Sequence, residues 1–341
     1  MKKLLLSLLI FIYAILLIGC GSKEQDFHTQ VQNDYLSGNY TNATVYAVGE
    51  AELSRPKPIT LSWKVKASEY IIEIKPVGED KAWTYNTTTK SIDIYNLQSM
   101  TNYEWFVNGE KQGEFKTAAG LRNLYIDGLT NVRDIGGYKG SGGFVKQGML
   151  IRSSKLTDDD TGEVLITSEG VEELKRLGIK TELDLRDIEP DSDGNIEQGG
   201  ITSSVIDGAN YISLPMKSGG NYLQLNRSVL PDLFKILANE DNYPILFHCS
   251  IGTDRTGVVA FLVNALLGVS KENLYRDYLF SNFGLIHGMR HPKTIDDYIK
   301  RVSVYEDKSL EENVKQYLIN LGVDPEDLQT LRSLMLDLYR D

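Results

Sequence analysis

The chain has 341 residues, 41% of them hydrophobic and 24% charged, with a formal net charge of -11. That length exceeds what one ordinary core serves and predicts two domains. The acidic balance excludes a general nucleic-acid binder, whose phosphate contacts rest on lysine and arginine, so an anionic ligand requires a local positive site.

The first segment reads as an address. Lys2 and Lys3 precede an uncharged apolar run from Leu4 to Ile18, too short for a comfortable spanning helix and about the length of a signal-peptide core. It ends in "LIGC", Leu17 to Cys20, which resembles the lipobox of bacterial lipoproteins. The resemblance implies removal of residues 1–19 and a lipid on Cys20. Residues 20–30 would then tether the protein to the extracytoplasmic face of the cell membrane. A plain anchor with an incidental cysteine is the alternative. Cys249 is left as a lone thiol with no disulfide partner in the chain, to be explained by burial or by chemistry.

Residues 31–118 read as short strands separated by turn residues. In "PITLSWKVK" strict alternation puts Ile59, Leu61, Trp63 and Val65 on one face, and "YIIEIKP", "SIDIYNL", "YEWFVNG" and "GEFKT" follow at strand-like spacing. The early tryptophan and a Tyr103 suited to a tyrosine corner resemble a fibronectin type III sandwich. Trp63 and Tyr103 are read as core packing. Nothing here looks catalytic, which leaves the sandwich as a surface for a protein or glycan contact.

From residue 119 onward strands alternate with helices, the pattern of an α/β domain with a mostly parallel sheet flanked by helices. "SEGVEELKRLG" predicts a helix capped by Ser168 and stopped at Gly178, and "IKTELDLR" and "NYISLP" predict strands. "RSVLPDLFKILAN" predicts an amphipathic helix, "PILFH" a buried strand, and "GVVAFLVNALLG" a helix apolar all round, which must be buried.

Between that strand and that helix lies "HCSIGTDRTG", His248 to Gly257. Backbone N–H groups in a turn at a helix N-terminus form an anion nest, here from Ser250, Ile251, Gly252 and Thr253, and Gly252 lets the backbone curl. Arg255 offers a planar fork to two oxygens of a bound oxyanion. The same field lowers the pKa of the Cys249 thiol, so a thiolate attacks phosphorus in line while the nest holds the equatorial oxygens. Thr256 is placed to hydrogen-bond the sulfur, and His248 to orient the loop.

These residues resemble the signature of the cysteine-dependent tyrosine and dual-specificity phosphatases, H-C-x5-R-[ST]-G. Asp254 before Arg255 narrows the resemblance to the bacterial branch of tyrosine and lipid phosphatases. "NVRDIGGY", "GMLIRSSKLTDDD", "LGIKTELDLR" and "DYLFSN" are similar to that branch as well, so the resemblance covers about residues 121–340. Rhodanese-like sulfur transfer, the other use of such a loop, usually has a shorter one. The resemblance implies a tyrosine phosphatase-like catalytic domain over residues 119–341 that forms a phosphocysteine intermediate and needs no cofactor or metal. Its substrates would be phosphotyrosine-type monoesters, or alternatively phosphoinositides or inositol phosphates. A catalytically inactive surface binding protein is the rival from another class, and the intact Cys249, Gly252, Arg255 and Thr256 oppose it.

Other polar residues carry open readings. Arg133 and Asp134 suggest a structural ion pair near the site. Arg152 and Arg186 suit either the substrate anion or a buried pair with Asp184 or Asp187. Asp158, Asp159 and Asp160 read as a solvated loop or helix start, and His287 and His291 as surface residues. The segment Leu214 to Asn226, where a proton-donating aspartate is usual in this class, contains no aspartate or glutamate. The resemblance to the bacterial branch at Asp254 makes it the first candidate for the acid, and Asp184, whose strand leads toward the site, is the second, although a carboxylate beside Arg255 suits an acceptor or orienter better. Thr253 stands where members of the similar branch often carry lysine, which predicts a preference for monoesters over multiply charged head groups.

Overall fold

The structure is a computed structural model that describes residues 23–186 and 203–338. The expected signal peptide, Cys20 and Asp187 lie outside the described residues. Among the described residues no helix is long and apolar enough to cross a membrane.

Among the described residues seven strands form the N-terminal sandwich: β1 (Lys23–Gln25), β2 (Ile59–Ser62), β3 (Tyr70–Pro76), β4 (Trp83–Thr87), β5 (Ser91–Ile94), β6 (Asn102–Val107) and β7 (Glu110–Thr117). One sheet runs β1-β7-β6-β3-β4, and β2 pairs with β5 in the other. The alternating Ile59, Leu61 and Trp63 meet Ile72, Ile74 and Tyr103 in a common core. The Tyr103 hydroxyl accepts the Gln98 N–H at 2.9 Å.

The start of the chain differs from expectation. Lys23–Gln25 is a strand parallel to β7 and Phe27 joins the sandwich core, so this part of the expected tether is structured. Residues that should open the sandwich instead form α1 (Gln30–Ser37), held by a capping box of Thr29 and Gln32. Tyr35 then packs against Phe283 with ring centroids 5.3 Å apart, and Tyr35, Ala43 and Ala47 join the core of the second domain. A helix buries that aromatic on one face, which a strand lying on the sandwich would not. Arg122, fully buried, fastens the two domains: it donates to the carbonyls of Asn96 and Leu97 and pairs with Asp134 at 2.7 Å.

The second domain contains β8 (Arg133–Asp134), β9 (Lys139–Gly140), β10 (Gly143–Val145), β11 (Leu150–Ser153), α2 (Ser168–Arg176), β12 (Thr181–Asp184), β13 (Asn210–Ser213), α3 (Tyr222–Leu225), α4 (Leu230–Leu237), β14 (Ile245–His248) and α5 (Asp254–Leu266). Helices α6 (Lys271–Phe280), α7 (Lys293–Val302), α8 (Leu310–Asn320) and α9 (Pro325–Met335) follow, and β15 (Leu336–Leu338) closes a small sheet with β10 and β9. The main sheet runs β13-β12-β14-β11-β8 and is parallel except at its edge strand β8. The cap of α2 is Thr167 rather than Ser168, because the Thr167 hydroxyl accepts the Gly170 N–H. From Arg255 to Leu266 every residue of α5 is buried, as its all-round apolarity requires.

Strands β11, β12 and β14 end in register at Ser153, Asp184 and His248. The residues that follow each strand therefore meet at one edge, beyond the carboxyl ends where open parallel sheets bind ligands.

Candidate active site

Cys249 follows β14 directly and is 1% exposed at the N-terminal end of α5. Its Sγ lies 3.9 Å from the Thr256 hydroxyl. Burial alone pushes the thiol up. The Arg255 guanidinium, with the Thr256 N–H and hydroxyl, overrides it and holds the pKa below the ordinary thiol value. Arg255 reaches back across the loop to donate to the Ser250 hydroxyl at 2.9 Å.

The loop is shaped from outside. The Asn131 side-chain amide donates to the carbonyls of Ile251 and Gly252 at 3.2 and 2.9 Å. Arg152 donates to the carbonyls of Gly252 and Thr253 at 2.8 and 3.1 Å. In a trans peptide the C=O and N–H point opposite ways, so tying these carbonyls outward turns the N–H groups of Gly252, Thr253 and Asp254 inward. Among the described residues the N–H groups of Ser250 to Thr253 donate to no protein acceptor. Gly252 has φ +67, and a Cβ there would lie 2.4 Å from the Ser153 carbonyl oxygen. At Thr253 the structure differs from expectation. The Thr253 side chain is buried and accepts from Asn131 at 3.1 Å, so its hydroxyl does not face a substrate and only its N–H remains for an anion.

Beneath the loop lies a buried triad. Asp277 accepts from Arg133 at 2.9 Å and from Arg152 at 2.7 Å. Burial pushes this carboxyl up, yet the two guanidiniums hold it below the usual carboxylate range. The expected Arg133 and Asp134 pair does not form. Consecutive residues of a strand point to opposite faces, and the register sets Arg133 opposite Arg152, so these two share Asp277 while Asp134 turns to Arg122. Arg152 is thus a support of the loop rather than a ligand of the anion.

A buried thiol with a lowered pKa thus sits at the base of a loop whose carbonyls are tied outward. The sequence profile described as "Tyrosine phosphatase family" matches residues 124–337. The chain belongs to that family. It is 29% identical over 182 residues to a Cupriavidus necator protein that carries a tyrosine-protein phosphatase name, covering 48% of this chain and 64% of that protein. It is 33% identical over 72 residues to a tyrosine-protein phosphatase of Nostoc commune, covering 20% of this chain and 24% of that one. The chain thus spans less than two thirds of either relative. Among solved structures it is similar to the core catalytic domain of the PP-IP phosphatase SIW14 from S. cerevisiae. That match has a TM-score of 0.31 and 19% identity, over 51% of this chain and 89% of that chain, a level at which it adds no argument.

Within this member of the tyrosine phosphatase family, the candidate proton donors sit in different surroundings. Asp184 is fully buried and accepts from Arg186 through both oxygens and from the Tyr211 hydroxyl at 2.9 Å. Burial pushes its carboxyl up, but His248 and Arg186 bring it down to about 2. It is a fixed anion at neutral pH, which corrects its candidacy as an acid. His248 lies 3.0 Å from Glu182 and 3.8 Å from Asp184. Burial pulls its pKa down, but the two carboxylates raise it overall and favour an imidazolium under the loop. Asp254 is held by Arg290 at 3.0 and 2.8 Å and accepts from Tyr278, the position of an orienter.

The residue that the sequence underrated is Asp159. It does lie on the loop after β11, but its side chain is only 32% exposed and accepts from Arg186 at 3.0 Å. Burial raises its pKa, while hydrogen bonds from Arg186, Ser250 and Lys155 lower it overall. Lys155, which pairs with Asp159 at 3.2 Å, also donates its backbone N–H to the Ser250 carbonyl at 3.2 Å, so Asp159 borders the loop. An aspartate run just past the carboxyl end of a parallel strand was the available signal. His287 and His291 are exposed, as expected.

Proposed function

We propose that the protein hydrolyses phosphate monoesters through a phosphocysteine on Cys249. The observation that carries this is the conjunction of a thiol with a lowered pKa and a loop whose carbonyls are tied outward. The nest and Arg255 receive the phosphoryl oxygens, the thiolate displaces the leaving oxygen, and water then releases phosphate. Asp159 gives its proton to the leaving oxygen. A phosphate dianion beside it opposes the cations that lower its pKa in the free site and favours the protonated form. Asp184 orients His248 and Arg186, and Asp254 anchors Arg290.

Phosphotyrosine-type monoesters are the favoured substrates. A cleft of about 330 Å³ beside the loop is lined by Leu129, Leu165, Leu285 and Ile251, surroundings suited to an aromatic leaving group. Its cations are matched: Arg55 lies 3.8 Å from Asp127, and Lys155 pairs with Asp158 and Asp159. A multiply charged phosphoinositide or inositol phosphate finds less compensation there. Comparing kcat/KM for a phosphotyrosine peptide and a short-chain phosphoinositide tests this. A preference for the lipid would overturn the substrate reading.

The proposed setting is the outer face of the cell membrane, with a lipid on Cys20, supported by the "LIGC" sequence after an apolar run. Fatty-acid labelling that persists in Cys20→Ser would remove it. The N-terminal domain is read as fibronectin type III-like, supported by its two sheets and the Tyr103 corner bond, and as the surface for a protein or glycan partner.

A further inference from the structure

We propose that Glu52 and Ser54 are positioning residues for the catalytic loop, so that the segment Gly49 to Arg55 is a working part of the active site. Both lie upstream of residues 124–337, the part matched by the family. The inference rests on the phosphatase reading of Cys249 and adds to it a region that the family match does not cover.

The path from this segment to the loop is short. The Ser54 hydroxyl is buried, accepts the Asn131 N–H at 3.1 Å and donates to Glu52 at 2.5 Å. Glu52 also accepts the Ser54 N–H at 3.0 Å, and its second oxygen accepts the Thr130 hydroxyl. Two consecutive residues, Thr130 and Asn131, are thereby held by one serine–glutamate unit. Asn131 is the residue whose amide grips the carbonyls of Ile251 and Gly252. Its backbone is left-handed, with φ 60, a conformation that needs support from its surroundings. Ser54 satisfies its buried N–H, while Arg133 fixes its side-chain oxygen.

The segment is itself pinned to the catalytic domain. Gly49 exchanges backbone bonds with Asn282 and Ile286 at 2.8 and 3.0 Å, and the Leu53 N–H meets the Phe283 carbonyl at 2.6 Å. Gly49 has φ +80, and a Cβ there would lie 2.4 Å from the Gly288 carbonyl oxygen, so the approach requires glycine. The chain thus meets Asn131 in one fixed course and holds its backbone N–H.

The test uses the full chain, with Ser54→Ala, Ser54→Thr and Glu52→Gln. Steady-state hydrolysis of p-nitrophenyl phosphate is measured beside the pH profile of Cys249 alkylation by iodoacetate. Ser54→Ala should lose about ten- to hundredfold in kcat/KM, the scale of a small misplacement at a reacting centre. Its alkylation profile should move to higher pH, because the N–H groups that stabilise the thiolate are no longer aligned. Ser54→Thr, which keeps the hydroxyl, should restore both. Alkylation reads the loop without turnover, so an inactive wild type would sink the phosphatase reading and still leave this inference open to the same comparison. A folded Ser54→Ala with unchanged rate and unchanged alkylation profile would overturn it. If Ser54→Ala does not fold, Glu52→Gln is measured in the same two ways: a lower rate with a raised alkylation profile supports the inference, and no change in either overturns it.

Discussion

Beneath Cys249 the charges are buried in fixed partnerships, whereas at the mouth of the same loop they are half exposed and shared among several groups. Asp277 holds Arg133 and Arg152 with side chains at most 5% exposed, and Arg152 passes that rigidity to two loop carbonyls. At the mouth, Asp159 is 32% exposed and divides its oxygens between Arg186 and Lys155. The first arrangement suits a site whose dipoles must be aligned before the substrate arrives. The second suits a carboxyl that must exchange a proton with a visiting group. One loop therefore requires stiffness on one side and responsiveness on the other.

The rigid side is the more sensitive to substitution. Asp277→Asn leaves two buried guanidiniums without their anion and should destabilise the protein by about 3–5 kcal/mol, with activity falling together with stability. Chemical unfolding beside kcat/KM checks this. A variant of wild-type stability would show that the triad is not the support of the loop.

A smaller and more selective effect belongs to the mouth. Asp159→Asn should keep stability within about 0.5 kcal/mol of wild type. With phenyl phosphate, whose leaving group needs a proton, kcat should fall by about 10²–10⁴. With p-nitrophenyl phosphate, whose phenolate leaves readily, the loss should be much smaller. Equal losses on both substrates would take the proton-donor role from Asp159.

The two sides were also unequally legible in the sequence. The loop was legible because its chemistry is local: thiol, glycine and arginine lie within seven residues, and the strand before and the helix after them show in their apolarity. Its floor was not, because Arg133 finds Asp277 only through the pairing of β8 with β11 and the return of α6 beneath the sheet. Adjacent opposite charges in "NVRDIGG" suggested a pair that the alternation of a strand forbids. Asp159 was hidden in an acidic run whose members are indistinguishable until the Arg186 contact singles one out. Helix α1 has a readable start signal in the capping box from Thr29 to Gln32, but the strand-rich sequence that follows it outweighs that signal locally. The partnership of Ser54 with Asn131 spans separate domains of the expected plan and has no local signature.

The proposed mechanism transfers phosphate to the Sγ of Cys249. Rapid acid quench of the full-length protein during turnover of a phosphotyrosine peptide, followed by peptide mass analysis, tests it directly. One phosphoryl group should appear on the peptide containing Cys249 and vanish in Cys249→Ser together with turnover. Phosphate on another residue, or substantial turnover in Cys249→Ser, would contradict the account.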